Sequence, residues 1–214
     1  MIALGIRCLL AYLLGSVLGS LVVGRVYGGV DIRTQGSGNA GATNALRTQS
    51  KLFALGVIVI DLGKGVLAAI LVARMPLPAH AGHDALGHGW NMALCGALAV
   101  AGHVYPVFYG FRGGKGAATF LGCLAVIAPL ALVPGLVVFA LVLMLTGYVG
   151  LSTVLSVWAV AAFLLARCGP ASPQFAFGLA MALFILYTHR SNIQRLLNGS
   201  EHQFKKAMLL RRPK

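Results

Sequence analysis

Between Gly116 and His189 the chain carries a single formal charge, Arg167. No water-soluble domain can be built on such a stretch, because a globular surface normally takes charged residues at about a quarter of its positions. Lipid is the solvent that tolerates it, and a helix crossing the hydrocarbon core needs roughly 20 apolar residues. Shorter runs of the same character occupy residues 2–24, 52–73 and 91–105, so that only 10% of the 214 residues are charged and 58% are hydrophobic. Backbone polar groups in lipid must be satisfied within their own segment, which makes these runs helices. The first run carries Arg7 near its start but continues to Gly24 with no cleavage site, so it reads as a retained helix and not a leader. The fold class that follows is all-α, a polytopic transmembrane helical bundle, taken as one domain over residues 1–214 with no internal repeat.

The remaining charge is one-sided, 17 Lys and Arg against 4 Asp and Glu, a net +13. It gathers in residues 25–51, around Arg112 and Lys115, and after His189, which by the positive-inside rule face the cytoplasm. Residues 74–90 hold little fixed positive charge and fall outside. The N-terminus is then external, the C-terminus cytoplasmic, and the number of crossings odd. Breaks at 129–134, 147–150 and 167–173 divide the long apolar stretch into four short helices, predicting seven crossings in total. Five is the alternative if that stretch crosses only twice. No separate basic domain exists to carry nucleic acid, so the charge is assigned to headgroups and anionic substrates.

Several side chains inside the apolar runs have simple readings. Asp61 and Lys64, three apart on one helical face, are expected to pair and so to be structural. Gly15 and Gly19, with Ser16 and Ser20 beside them, allow close helix approach. Cys8, Cys95, Cys123 and Cys168 show no Cys-x-x-Cys spacing and read as apolar fillers. His80, His83, Asp84 and His88 are expected in an external loop with no metal bound.

The chemistry concentrates in three polar segments. The first reads Gly36-Ser37-Gly38-Asn39-Ala40-Gly41-Ala42-Thr43-Asn44, followed by Arg47. Glycines let backbone N–H groups converge on an anion, small polar side chains let it approach, and an Arg fork can grip a phosphate. Gly36, Gly38, Asn39, Gly41, Thr43, Asn44 and Arg47 are therefore candidate phosphate ligands. The second contains Gly113-Gly114-Lys115-Gly116 with Thr119 three residues on, a glycine-and-lysine anion loop that does not match the nucleotide-binding P-loop. The third runs from His189 through Asn192 and Arg195, spaced along one helical face, to Glu201. By itself this last segment fits an interfacial helix end as well as a reactive one.

Together the segments Gly-Ser-Gly-Asn-x-Gly-Ala-Thr-Asn-x-x-Arg, Gly-His-x-x-Pro-Val-Phe with Gly-Gly-Lys-Gly-x-x-Thr, and His-x-x-Asn-Ile-x-Arg-Leu with a later Glu resemble the three motifs of the bacterial acyl-phosphate:glycerol-3-phosphate acyltransferases. The likeness covers residues 31–47, 102–119 and 189–201. Ala40 stands where the family commonly has Pro, and Gly19-Ser20 lacks a Pro often present nearby. The resemblance implies transfer of a fatty acyl group from acyl phosphate to the 1-hydroxyl of glycerol 3-phosphate, without cofactor or metal, at the cytoplasmic face of the bacterial inner membrane. It implies that Ser37 polarises an oxyanion, that His189 and Asn192 position the acceptor, and that Glu201 is structural. The acceptor's hydroxyl proton then goes to substrate phosphate or to His189.

Rival readings are weaker. An organic-anion transporter also needs basic loops and buried charges, but no inverted repeat is visible and the polar motifs sit at one membrane face. A scaffold protein needs no such dense motifs. A CoA-dependent acyltransferase would use His-x-x-x-x-Asp, and here Ala79 and Gly56 stand where the His would precede Asp84 and Asp61.

Overall fold

The computed structural model describes residues 2–76 and 87–209, which form ten α-helices and no strand. Their contacts divide into two compact units, Met1–Ile127 and Ala128–Lys214. His80, His83 and Asp84 lie outside the described residues, and His88 opens a helix.

The first unit contains α1 (Ile2–Gly15), α2 (Gly19–Val26), α3 (Ala42–Thr48), α4 (Lys51–Leu67), α5 (His88–Val104) and α6 (Ala117–Ile127). A π-helical turn, Ala68–Val72, extends α4. The unit is built on two close crossings, α1 on α5 and α4 on α6. Each is made by reciprocal glycines. A Cβ on Gly65 would collide with the Thr119 carbonyl, and one on Gly122 with the Leu62 carbonyl. Gly15 and Gly102 stand in the same relation to Ala99 and Tyr12. In lipid, where the hydrophobic effect does not drive helices together, such backbone-to-backbone contact supplies the association.

The first apolar run is not the continuous span that residues 2–24 predict. It breaks between α1 and α2 with a 45° bend. Gly15, Ser16, Gly19 and Ser20 are weak helix formers, and Ser16 Oγ turns back to donate to Tyr12 O at 2.9 Å. The groups released at the break are taken up by α4: Lys64 Nζ donates to Val17 O at 2.7 Å and Gly19 N donates to Asp61 Oδ1 at 3.1 Å. At the other end of α4, Ser50 accepts from Phe53 N as its N-cap. There Val23, Ile32, Ala45, Phe53, Ala54 and Val57 form a core that seats α3 and the polar segment before it.

The second unit contains α7 (Leu132–Thr146), α8 (Val149–Cys168), α9 (Pro173–Thr188) and α10 (Arg190–Leu197). The predicted breaks fall where Pro and Gly punctuate the run: a turn at Pro129–Ala131, Gly147 at φ +72°, and Gly169 at φ +80° ahead of the Ser172 cap. Gly135 is the one buried residue of α7, whose other residues present Leu and Val outward, as a helix facing lipid does. The tail then returns to the end of α7. Gln203 Nε2 donates to Thr146 O, Phe204 N to Gly147 O and Leu209 N to Met144 O, at 3.0, 2.7 and 3.0 Å. Carbonyls orphaned at a helix C-terminus are thereby paired.

Among the described residues four helical stretches are long and apolar enough to cross a membrane: Lys51–Val72, His88–Tyr109, Pro129–Thr146 and Val149–Cys168. The bent pair α1 and α2 makes a fifth, while α6 and α9 are shorter apolar helices. Cys95 and Cys123 are buried fillers, whereas Cys168 is exposed at the end of α8.

Candidate active site

In the first unit the polar chain before α3 is wound around one side chain. Asn44 is 2% exposed. Its Nδ2 donates to Ile32 O, Gln35 O and Asn39 O at 2.9, 3.0 and 3.0 Å, and its Oδ1 accepts from Ser37 N at 2.9 Å. The amide that the sequence offers as a phosphate ligand is thus committed to holding the loop. Asn39 likewise accepts from Gly41 N. Gly36 must be glycine, since its φ is +55° and a Cβ would strike Asn44. Ala40 is fully buried, so the methyl at this position serves packing. Ser37 and Thr43 remain on the open side, both exposed, and Arg47 is half-buried on α3.

A second device ties this loop to the next. Asp31 accepts from Arg33 N at the turn Ile32–Thr34, and its carboxylate takes the Arg33 fork at 2.8 to 3.1 Å. Arg33 Nη1 continues to Tyr109 O at 3.3 Å and Arg112 O at 3.1 Å, with its guanidinium over the Tyr109 ring. The hydrogen bond from Arg33 holds the Asp31 carboxyl below the usual carboxylate range, and Asp31 in turn raises the Arg33 pKa.

The loop between α5 and α6 is built differently from what its glycines suggest. Gly113 N donates to Val104 O at 3.2 Å and Gly114 N to His103 O at 3.0 Å. Both amides therefore cap α5 and are not bare donors for an anion. Lys115 is half-buried beside them, and Gly116, at φ +89°, leads into α6.

Behind this loop lies a buried polar cluster. Lys64 Nζ sits 3.0 Å from Asp61 Oδ1 and 2.9 Å from His103 Nδ1, besides its bond to Val17 O. The three side chains are between 1% and 3% exposed. Asp61 and Lys64 do pair, as their spacing predicts. His103 is the residue that sequence reasoning missed. The signal available was its position directly before the glycine loop in the Gly-His-x-x-Pro motif.

In the second unit His189 closes α9 and is 5% exposed. Its Nδ1 lies 2.9 Å from Ile185 O, which in the neutral ring places the proton on Nδ1 and the lone pair on Nε2. Asn192 Nδ2 donates to Glu201 Oε1 at 2.8 Å, and Arg195 Nε to Glu201 Oε2 at 2.7 Å. The Glu201 side chain is 3% exposed. It thus holds side chains of two α10 residues. Among the described residues no group of three His, Cys, Asp or Glu side chains could hold a metal ion.

Comparison with known proteins places these features. The sequence model of the family described as glycerol-3-phosphate acyltransferase matches residues 5–199. A glycerol-3-phosphate acyltransferase of Clostridioides difficile (strain 630) is 41% identical over 205 residues, covering 92% of this chain and 94% of its own. One from Anaeromyxobacter dehalogenans (strain 2CP-1) is 43% identical over 190 residues, with 89% and 92% covered. The crystal structure of PlsY (YgiH), an integral membrane glycerol 3-phosphate acyltransferase, in its glycerol 3-phosphate form superposes with a TM-score of 0.81 at 33% identity, covering 94% of this chain and 95% of that one. Its lysophosphatidic acid form gives 0.79 at 32%.

Proposed function

Because the chain belongs to the glycerol-3-phosphate acyltransferase family, we propose that it transfers a fatty acyl group from acyl phosphate to the 1-hydroxyl of sn-glycerol 3-phosphate. The products are lysophosphatidate and inorganic phosphate, the first step of phospholipid synthesis. The new bond joins the glycerol oxygen to the acyl carbon, and the bond from that carbon to the phosphate oxygen breaks. A mixed anhydride already carries a good leaving group, so no covalent enzyme intermediate is needed. The protein's task is to hold two anions and steer one hydroxyl.

The observation that carries this reading is the Arg33 fork, which bonds the first glycine-rich loop to the backbone of the second. It supports two anion-binding loops acting at one end of the unit. We assign phosphate contacts to Ser37, Thr43, Arg47 and Lys115, with Gly36, Gly38, Asn39, Gly41 and Gly116 shaping their approach. Asn44, Gly113 and Gly114 hold the loops. In the second unit His189 and Asn192 orient the acceptor, and the hydroxyl proton goes to substrate phosphate. The family match runs across both units, so the reaction is assigned to the chain as one domain.

We further propose seven crossings in the bacterial inner membrane, N-terminus outside and C-terminus cytoplasmic, counting α6 and α9 as spans. Lys and Arg gather in residues 25–51, 112–115 and 190–214, which supports that orientation. Purified protein given glycerol 3-phosphate should form lysophosphatidate with acyl phosphate and none with acyl-CoA. Turnover with acyl-CoA alone would refute the donor assignment.

A further inference from the structure

The buried cluster of Asp61, Lys64 and His103 has a hydrogen-bond arithmetic that determines what His103 can do. An ammonium has three hydrogens and no lone pair. Lys64 Nζ has three acceptors around it: Val17 O at 2.7 Å, Asp61 Oδ1 at 3.0 Å and His103 Nδ1 at 2.9 Å. With Asp61 ionised beside it, the pair is neutral in sum, and a buried pair is stable only when its charges balance. His103 Nδ1 also lies 3.4 Å from Asp61 Oδ1, but Lys64 Nζ at 2.9 Å is the nearer neighbour and an ammonium can only donate, so Nδ1 accepts, the ring is neutral and its one hydrogen is on Nε2.

That edge of the ring faces the glycine loop. A Cβ on Gly114 would overlap His103 Nε2, and Gly114 does not have a left-handed φ. Glycine is required at 114 for the space the imidazole occupies, not for backbone freedom. Nε2 is not one of the buried side-chain atoms sealed in without a partner, so this edge of the ring opens beside the loop although the side chain as a whole is 3% exposed. An N–H that opens beside an anion-binding loop gains a charge-assisted hydrogen bond when a phosphate arrives. It also answers a shortage at this loop, because the Gly113 and Gly114 amides are already committed to α5.

We infer that His103, held in the Nε2–H form by Lys64, donates that hydrogen to a phosphate oxygen of bound substrate at the loop of residues 113–116. The inference rests on the acyltransferase reading for the identity of the ligand. Asp61 and Lys64 become positioning residues in addition to pinning the bend between α1 and α2. A neutral donor suits this place: it binds the anion without adding a third charge beside Asp61 and Lys64.

Two measurements test it. In protein carrying 15N-labelled histidine, the His103 signals, identified by their loss in His103→Asn, should show a protonated Nε2 and an unprotonated Nδ1. The Nε2–H resonance should move when glycerol 3-phosphate or a non-transferring acyl phosphonate is added, and the ligand that moves it names the phosphate. A ring protonated on Nδ1, or on both nitrogens, overturns the inference, as does no response to either ligand. In kinetics, His103→Asn keeps an acceptor near the Nδ1 position for Lys64 but removes the Nε2 donor. Its kcat/KM should fall about 10- to 100-fold, the usual range for a hydrogen bond to a charged group, while Tm stays near wild type. His103→Gln, which carries an N–H at about the Nε2 position, should recover part of the loss. Values for His103→Asn within twofold of wild type for both substrates overturn the inference. Wild-type turnover in the same assay tests the acyltransferase reading separately, and the tautomer is read whether or not that reaction occurs.

Discussion

The guanidinium of Arg33 keeps Asp31 ionised below the usual carboxylate range. A lowered folded-state pKa stabilises the protein fully above the unfolded value, about 3.9 for aspartate, and the contribution is lost as pH falls through the lowered value. The Tm gap between wild type and Asp31→Asn should hold steady from pH 8 to pH 5 and narrow below about pH 4. A gap that widens in acid would contradict the fork as the link between the loops. Glu201 offers a second test. Glu201→Gln can still accept from Asn192 but loses its charge against Arg195. Its cost should be about 1.5–3 kcal/mol in unfolding, with kcat largely kept, whereas Glu201→Ala should lose both. Equal activity in the two variants would separate the Asn192 contact from turnover. Asn44 shows where sequence reasoning stops at this scale. Its donors look the same on paper whether they meet a phosphate or three carbonyls of their own loop, and only the fold decides.

At the scale of elements, breaks caused by local chemistry were legible and breaks caused by distant partners were not. Pro129, Gly147 and Pro173 interrupt the long apolar run wherever they stand, because their backbone preferences travel with them. The bend after Gly15 depends on Asp61 and Lys64, 42 and 47 residues from the groups they satisfy. Glycines divide in the same way. Gly63 has open space where a Cβ would point, while Gly122, on the facing helix, meets the Leu62 backbone. Gly63→Ala should leave Tm unchanged or raise it through helix propensity, by up to about 1 kcal/mol. Gly122→Ala should lower it by about 1–3 kcal/mol, the usual cost of overpacking, or more if the helices must part. Thermal unfolding in detergent reads both, and a neutral Gly122→Ala would remove the α4–α6 contact from the account of stability.

For the whole molecule, single cysteines in a background lacking the native four read the orientation. Gln35→Cys and Gly113→Cys should be labelled from the cytoplasmic side only, and Gly169→Cys from outside only. Leu130→Cys, exposed in the turn before α7, should also be labelled from outside if α6 crosses. Resistance to reagent on both sides would favour five crossings. The bend between α1 and α2 has a further consequence, for how the protein is made. A ribosome delivers the chain from its N-terminal side, so the span of α1 and α2 reaches the bilayer before α4 has been synthesised. Val17 O and Gly19 N cannot be left bare in hydrocarbon. Until Asp61 and Lys64 arrive, that span must be straight, or keep its future bend in the wet headgroup layer. Its final shape is therefore an event of assembly and not of insertion, and this span enters before the partners that finish it have been made.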